Sequence, residues 1–439
     1  MNCSSNQPVC DQPQVDTVRR RGMRYALLTQ FFGTVGMQSF ENGVLLLYLT
    51  VLGLSPVRIL VYLALPNGVS MLLRLPVGYA ADQRGKKRFG LVGVCLTVVG
   101  YSALPLAAFA SGGGRSLLIV GGILVLSVGK MFFAAGWHAM IGGLVPEGMR
   151  ARFYGRMRIS FMLGGIAFTA LVALLLGKDS PVWMFQVILT ALVLCFVLRV
   201  VFYTRVPEVE RTGRRDGGFW KALGQVLAHS RYVSFVAYVF LLTLFTKGAV
   251  NLFALIEKNV MGCDDGTVVL LANATMAGGV LGFFVAGRLI DRVGSRYVFL
   301  VCHVAFAVSM LGFLGRNMTP LPPVVVAGAV HVVFGMSGAA SGLAIMSEML
   351  ALVPRWNKAL STSLCISLLL GGASLSGLIS AAILDIGLLR ERWQLFGQVL
   401  SDYDAVLFGY GVMVVLLVVT LGLVPSVLGP ANWEPAGAE

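Results

Sequence analysis

The chain has 439 residues, of which 57% are hydrophobic and only 12% charged, with a formal net charge of +14 and a mean hydropathy of +0.83. A soluble domain of this size needs about twice that charge to cover its surface, so the composition excludes a water-solvated globular fold. The positive balance does not indicate nucleic acid, because the basic residues sit in short clusters between apolar runs rather than along one face.

A membrane-crossing helix needs about 20 mostly apolar residues. In chain order, such runs occupy 25–52, 58–81, 89–110, 117–143, 158–177 and 182–203, then 232–256, 267–290, 297–315, 322–351, 361–384 and 405–425. The first 17 residues are polar and carry no apolar signal-peptide core, so residues 1–24 read as a tail. Residues 25–203 form a first six-helix bundle and 232–425 a second. A hydrophilic linker over 204–231 joins them, and 426–439 form the closing tail. The linker holds a short amphipathic piece around Phe219 to Leu227. The seven cysteines stand singly, with no Cys-x-x-Cys pair, which argues against a disulfide framework or a zinc site.

An even number of spans places both termini on one side. On that side lie 23 Lys and Arg residues, including Arg19–Arg24, Arg84–Arg88, Arg150–Arg158 and Arg288–Arg296; the other side has 7. This asymmetry predicts cytoplasmic termini in a bacterial-type inner (plasma) membrane.

The two bundles repeat at an offset of 208–209 residues. Gly78, Asp82 and Gly85 return as Gly287, Asp291 and Gly294; Leu144-Val145-Pro146 returns as Leu352-Val353-Pro354. Thr34, Gln38 and Asn42 return as Thr243, Lys247 and Asn251. Parallel repeats of this kind are a transporter architecture with the solute site between the halves, near the midplane.

Ionisable groups in mid-membrane are costly and usually face an internal cavity. Glu41, Lys130 and Lys247 lie mid-span in the first, fourth and seventh runs, and Arg74 lies in the second. Gln30, Thr34, Gln38, Glu41 and Asn42 form one helical stripe about 120° wide, and Thr243, Lys247 and Asn251 form its repeat-related counterpart, with Thr246 beside it. The stripes read as two walls of a solute site. The bland alternative is an ion pair of Glu41 with Lys247 or Lys130 that only holds helices together. His138, His303 and His331 read as local hydrogen-bonders.

The segment Gly78, Asp82, Gly85, Lys86, Lys87, with its weaker copy Gly287, Asp291, Arg292, Gly294, Arg296, resembles the signature of the major facilitator superfamily. The resemblance covers nearly the whole chain. It implies an all-α membrane fold of twelve helices in two pseudo-symmetric six-helix bundles, with helices 1, 4, 7 and 10 lining the central cavity. It also implies a gating role for Gly78, Asp82, Arg84, Gly85, Lys86, Gly287, Asp291, Arg292, Gly294 and Glu348. In that role the glycines admit a close helix approach, each carboxylate faces a helix N-terminus of the other half, and Glu348 pairs with Arg292. Gln83 and Ser295 depart from the pattern, and Arg84 stands in for the missing base.

The implied function is secondary active transport of a small polar, anionic or polyhydroxylated solute by alternating access. Glu41 would carry the coupling proton, and a proton or sodium gradient would supply energy without any cofactor. The expected working unit is a monomer in the bilayer. A drug/proton antiporter is the first rival, disfavoured because Met162–Ala167 lacks the Gly-Pro signature of that branch; a non-transporting solute sensor is the second. No Walker-type loop, His-Glu-x-x-His motif or large soluble domain supports an enzyme.

Overall fold

The computed structural model describes residues 12–145, 150–178, 180–208, 219–352, 358–387, 389, 392–395 and 397–422. The side chains of Glu41, Asp82, Gln83, Arg84, His138 and Asp291 lie outside the described residues.

The first half comprises α1 (Gln12–Glu41), α2 (Val44–Val51), α3 (Pro56–Arg84), α4 (Lys86–Leu106), α5 (Gly112–Leu144), α6 (Arg150–Leu175) and α7 (Val182–Thr204). A short amphipathic helix α8 (Phe219–Leu227) lies in the linker. The second half comprises α9 (Ser230–Thr246), α10 (Ala249–Asn259), α11 (Asp265–Val293), α12 (Ser295–Leu314), α13 (Pro323–Leu352), α14 (Lys358–Ile386) and α15 (Asp402–Leu417). Strands β1 (Arg392–Leu395) and β2 (Gln398–Ser401) form an antiparallel hairpin between α14 and α15, turning at Gly397 with φ 78°.

Eleven segments among the described residues are long and apolar enough to cross a membrane. The segment α1–α2 supplies a further apolar passage but is interrupted at Asn42–Gly43. The whole is consistent with the expected twelve. In lipid the backbone must satisfy its own polar groups, which makes the apolar runs helical. Hydroxyls inside them bond back one turn, as Thr97 does to Gly93 O at 2.8 Å and Ser127 to Ile123 O at 2.5 Å.

Neighbouring helices approach through glycine. A side chain at Gly93 or Gly129 would run into backbone of the facing helix, so the α4–α5 contact exists only with glycine at both places. The basic clusters at the α3–α4, α11–α12 and α9 starts fall at one end of the bundle, the basic end. The hairpin and the α10–α11 turn mark the far end.

The halves meet along two seams, α3 against α14 and α6 against α11. The repeat exchanges these seams. In one, Ser374 Oγ donates to Ala64 O at 3.0 Å. In the other, Thr169 Oγ1 donates to Asn273 Oδ1 at 2.9 Å, and Asn273 Nδ2 donates to Ile166 O at 3.3 Å. Asn273 stands 209 residues after Ala64, so each seam carries its polar bond at the same depth.

Candidate solute site and gates

Two helices read as continuous from sequence are broken at mid-depth. The run 25–52 stops at Glu41 and resumes at Val44, because Gly43 adopts φ 73°, a left-handed turn. The run 232–256 stops at Thr246 and resumes at Ala249, where Gly248 N–H donates to Ser376 Oγ of α14 at 2.8 Å. Glycine explains both: it takes the left-handed conformation at one break and removes helix propensity at the other. Each break leaves the positive N-terminus of a half-helix (α2 and α10) inside the bundle, with first-turn N–H groups lacking intrahelical partners.

The α1 stripe turns toward α6 and α11. Gln38 is 2% exposed, and its amide lies against Gly165. Asn42, 1% exposed, donates from Nδ2 to Met276 Sδ at 3.3 Å. Gln30 Nε2 donates to Thr34 Oγ1 at 3.2 Å, and Thr34 is half-buried. The amide oxygens of Gln30, Gln38 and Asn42 are all buried without a hydrogen-bond partner. Three unsatisfied acceptors on one stripe are costly, at about 1–3 kcal/mol each, unless a donor reaches them.

On the repeat-related stripe, Thr243 is turned to its own helix. Its hydroxyl donates to Val239 O at 3.0 Å and Phe240 O at 2.9 Å, with Gly372 packed over it. Lys247 is exposed at the break and Asn251 is half-buried one turn on. Lys130 is half-buried on α5. The structure therefore brings Gln30, Thr34, Gln38 and Asn42 together and sets Thr243 apart against α14.

At the far end the seam is closed. Asp265 N–H donates to Gly177 O at 3.3 Å, and Ser180 N–H donates to Asp265 Oδ2 at 3.4 Å. Lys258 Nζ lies 2.7 Å from Asp265 Oδ1. Ala254, Leu255, Val268 and Val269 of the second half belong to the apolar cluster of the first. Asp264 caps α11 through Thr267 N–H (3.1 Å) and Thr267 Oγ1 (2.5 Å), which holds its carboxyl below the usual range.

At the basic end, Gly85 (φ 103°) and Gly294 (φ 86°) each terminate one helix and start the next, so the two signature copies share one backbone device. Gly78 and Gly287 do not serve a close approach here: a side chain at either would meet nothing within 4 Å. Glu348 accepts a hydrogen bond from Ser295 Oγ rather than pairing with Arg292, which is exposed. The apparent departure at Ser295 thus supplies the carboxylate's partner. Lys86 is buried. Asp82, Arg84 and Asp291 have their side chains outside the described residues. Arg158 of α6 lies 3.8 Å over the Phe283 ring of α11, a cation–π contact between the halves.

Sequence reading missed two buried polar pairs. Glu257 and His331 meet at 2.6 Å, and Arg316 meets Asp404 at 2.7 Å. The signal for the first was present in a lone histidine inside an apolar run. Its partner fell one residue beyond the span boundary drawn at 256.

A helical membrane fold in two halves related by an internal repeat, with interrupted helices at mid-depth, is the architecture of a membrane transporter. The sequence model of the Major Facilitator Superfamily matches residues 27–355, and the chain belongs to that family. Its fold is similar to that of a mutant of the nucleoside transporter NupG (TM-score 0.71, 13% identity, covering 92% of this chain and 98% of that one). It is also similar to a POT family transporter in complex with 5-aminolevulinic acid (0.70, 12%, 93% and 96%). A D-xylose-proton symporter matches as well (0.68, 14%, 95% and 99%). No curated protein matches the sequence.

Proposed function

We propose that this carrier moves a small polar solute rich in hydrogen-bond donors by proton-coupled symport. The observation that carries the reading is the row of unpartnered buried amide oxygens of Gln30, Gln38 and Asn42. A hydroxyl- or amine-bearing solute satisfies them. Nucleosides and xylose, the solutes named for two of the similar structures, carry such hydroxyls. Lys247 at the α9–α10 break and the α10 N-terminus offer positive potential from the other half, which suits an anionic or strongly polar group. Glu41, at the end of α1, is assigned the coupling proton, and Lys130 an accessory role. The basic end faces the cytoplasm of an inner membrane, with a monomer as the working unit.

The test is a thermal-shift screen of the purified protein against metabolites grouped by charge, repeated on Lys247→Ala, then counterflow on Glu41→Gln. A polar hit lost in Lys247→Ala supports the site. Exchange that survives Glu41→Gln while uphill uptake disappears supports the coupling role; equal loss of both sinks it. Stabilisation by lipophilic cations alone would instead favour drug/proton antiport.

A further inference from the structure

We infer that Glu257 and His331 together form a one-proton site in the second half, distinct from the α1 stripe and loaded from the far end. The inference rests on the gradient-driven carrier reading, and goes beyond it by placing a second proton-holding centre.

Glu257 of α10 is fully buried, and its Oε1 lies 2.6 Å from His331 Nε2 of α13. The other ring nitrogen, Nδ1, lies 2.6 Å from Thr275 Oγ1 of α11, which fixes the ring. Phe253 covers the imidazole at 5.2 Å between centroids, so the pair sits in an apolar pocket. Glu257 Oε2 is buried and has no hydrogen-bond partner.

The charges around the pair settle what it must hold. On α10, Lys258 is matched by Asp265 of α11 at 2.7 Å. Beyond Phe253 and Phe313, Arg316 is matched by Asp404 of α15. In the turn before α11, Asp264 is spent on the helix cap, and the Cys263 thiol is pushed up chiefly by burial. Among the described residues, the two cations placed on this side of the second half, Lys258 and Arg316, are each matched by a carboxylate. A carboxylate beside a neutral imidazole would leave one negative charge buried and uncompensated, at a cost of several kcal/mol. One proton, shared between Oε1 and Nε2, makes the site neutral. Its release leaves carboxylate and neutral imidazole, which is tolerable only once water reaches them.

That access is tied to the gate. Glu257 and Lys258 are consecutive, and Lys258 holds Asp265, which receives the Ser180 N–H of the first half. Cys263 N–H donates to Glu257 O at 2.9 Å, so the turn at the seam is bonded to the residue that holds the proton. Opening the α6–α11 seam at the far end withdraws this turn and wets the pair.

The chain has four histidines, so NMR spectra of nitrogen-labelled histidine are countable. The expected result at neutral pH is one signal, absent in His331→Gln, with an Nε2 shift between neutral and imidazolium positions, reverting to neutral in Glu257→Gln. A His331 signal unchanged by Glu257→Gln overturns the proposal. If Glu257→Gln does not fold, Glu257→Asp keeps the charge but draws it back by one methylene, and must move that signal; no movement overturns the proposal. Gly266→Val, which wedges the seam without altering charge, should speed exchange of the His331 N–H with solvent roughly tenfold. An unaltered rate disproves loading through the far gate. The spectra need no transported solute, so their failure would leave the carrier reading standing.

Discussion

Arg316 and Asp404, 88 positions apart, close on each other with two parallel bonds, Nη1 to Oδ1 at 2.7 Å and Nη2 to Oδ2 at 3.1 Å. Both side chains are buried. Arg316 follows the end of α12, and Asp404 belongs to the first turn of α15, where its Oδ2 also accepts the Ser401 N–H at 2.9 Å. The capping box that starts the last helix thus doubles as the anion that neutralises the cation ending α12. The contact pins the hairpin end of the second half.

Removing one member of such a pair strands the other charge. Asp404→Asn should therefore destabilise the protein by about 3–5 kcal/mol. The double variant Arg316→Met/Asp404→Leu should lose less, because no charge is left buried, though it forfeits the helix cap at about 1 kcal/mol. Unfolding in detergent checks both. A single variant within about 0.5 kcal/mol of the parent would show that the pair contributes nothing.

Gly85 and Gly294 are predicted to be equivalent in energy as well as in position. Each holds a φ near +90° at a helix–helix corner. Gly85→Ala and Gly294→Ala should each cost about 1–2 kcal/mol, since an L side chain there meets its own backbone. Neither glycine has a neighbour within 4 Å of a built side chain, so packing adds nothing to the cost. A large difference between the two thermal shifts would mean that the corners differ in the ensemble despite their shared geometry.

Asp264 gives an acid limb. Its folded-state pKa is depressed, chiefly by the Thr267 hydroxyl, so its contribution is present above the unfolded value of about 4 and fades as pH falls through the folded value. Asp264→Ala should cost about 0.5–2 kcal/mol at neutral pH through loss of the α11 cap, and the difference from the parent should shrink toward acid. Stability measured at neutral pH and near pH 3 separates the cases. A difference that stays constant with pH would mean that the cap does not depend on charge.

Fold class was legible because it follows from quantities the bilayer imposes: run length, the side that carries Lys and Arg, and an offset of about 209 residues repeated at independent places. The helix breaks were harder. Gly43 and Gly248 sit among 53 glycines, many of which pack helices together, and nothing in the one-dimensional pattern marks the one with φ 73°. Stripe membership was readable, but direction was not. Periodicity places Thr34, Gln38 and Asn42 on one face, yet which neighbour that face meets depends on the crossing of α1 with α6 and α11. Thr243 illustrates the limit: its hydroxyl is absorbed by its own helix. Glu257 and His331 lie 74 positions apart on helices joined only in space, and no local pattern links them.

The far seam offers the sharpest mechanical test. Gly266 lies in the first turn of α11, and a side chain built on it would run into the Ala173 and Leu176 carbonyl oxygens at the end of α6. Backbone cannot give way as a flexible side chain can, so Gly266→Val must push the two helices apart. The wedge acts where Asp265 N–H meets Gly177 O and where Val268 and Val269 enter the first half's apolar cluster. Cys263, one residue before the cap, is half-buried against that cluster and serves as a native reporter. In a variant retaining Cys263 alone, a membrane-impermeant alkylating reagent should modify it roughly tenfold faster after Gly266→Val, as expected for a shift of about 1.4 kcal/mol toward the opened seam. Gly262→Val makes the control: its built side chain meets nothing within 4 Å, so any loss there comes from its φ of 67° and not from a wedge. Equal rates in the parent and Gly266→Val would mean that the α6–α11 contact does not close the far end. Faster labelling in Gly266→Val alone would assign the closure to the packing of these two helices.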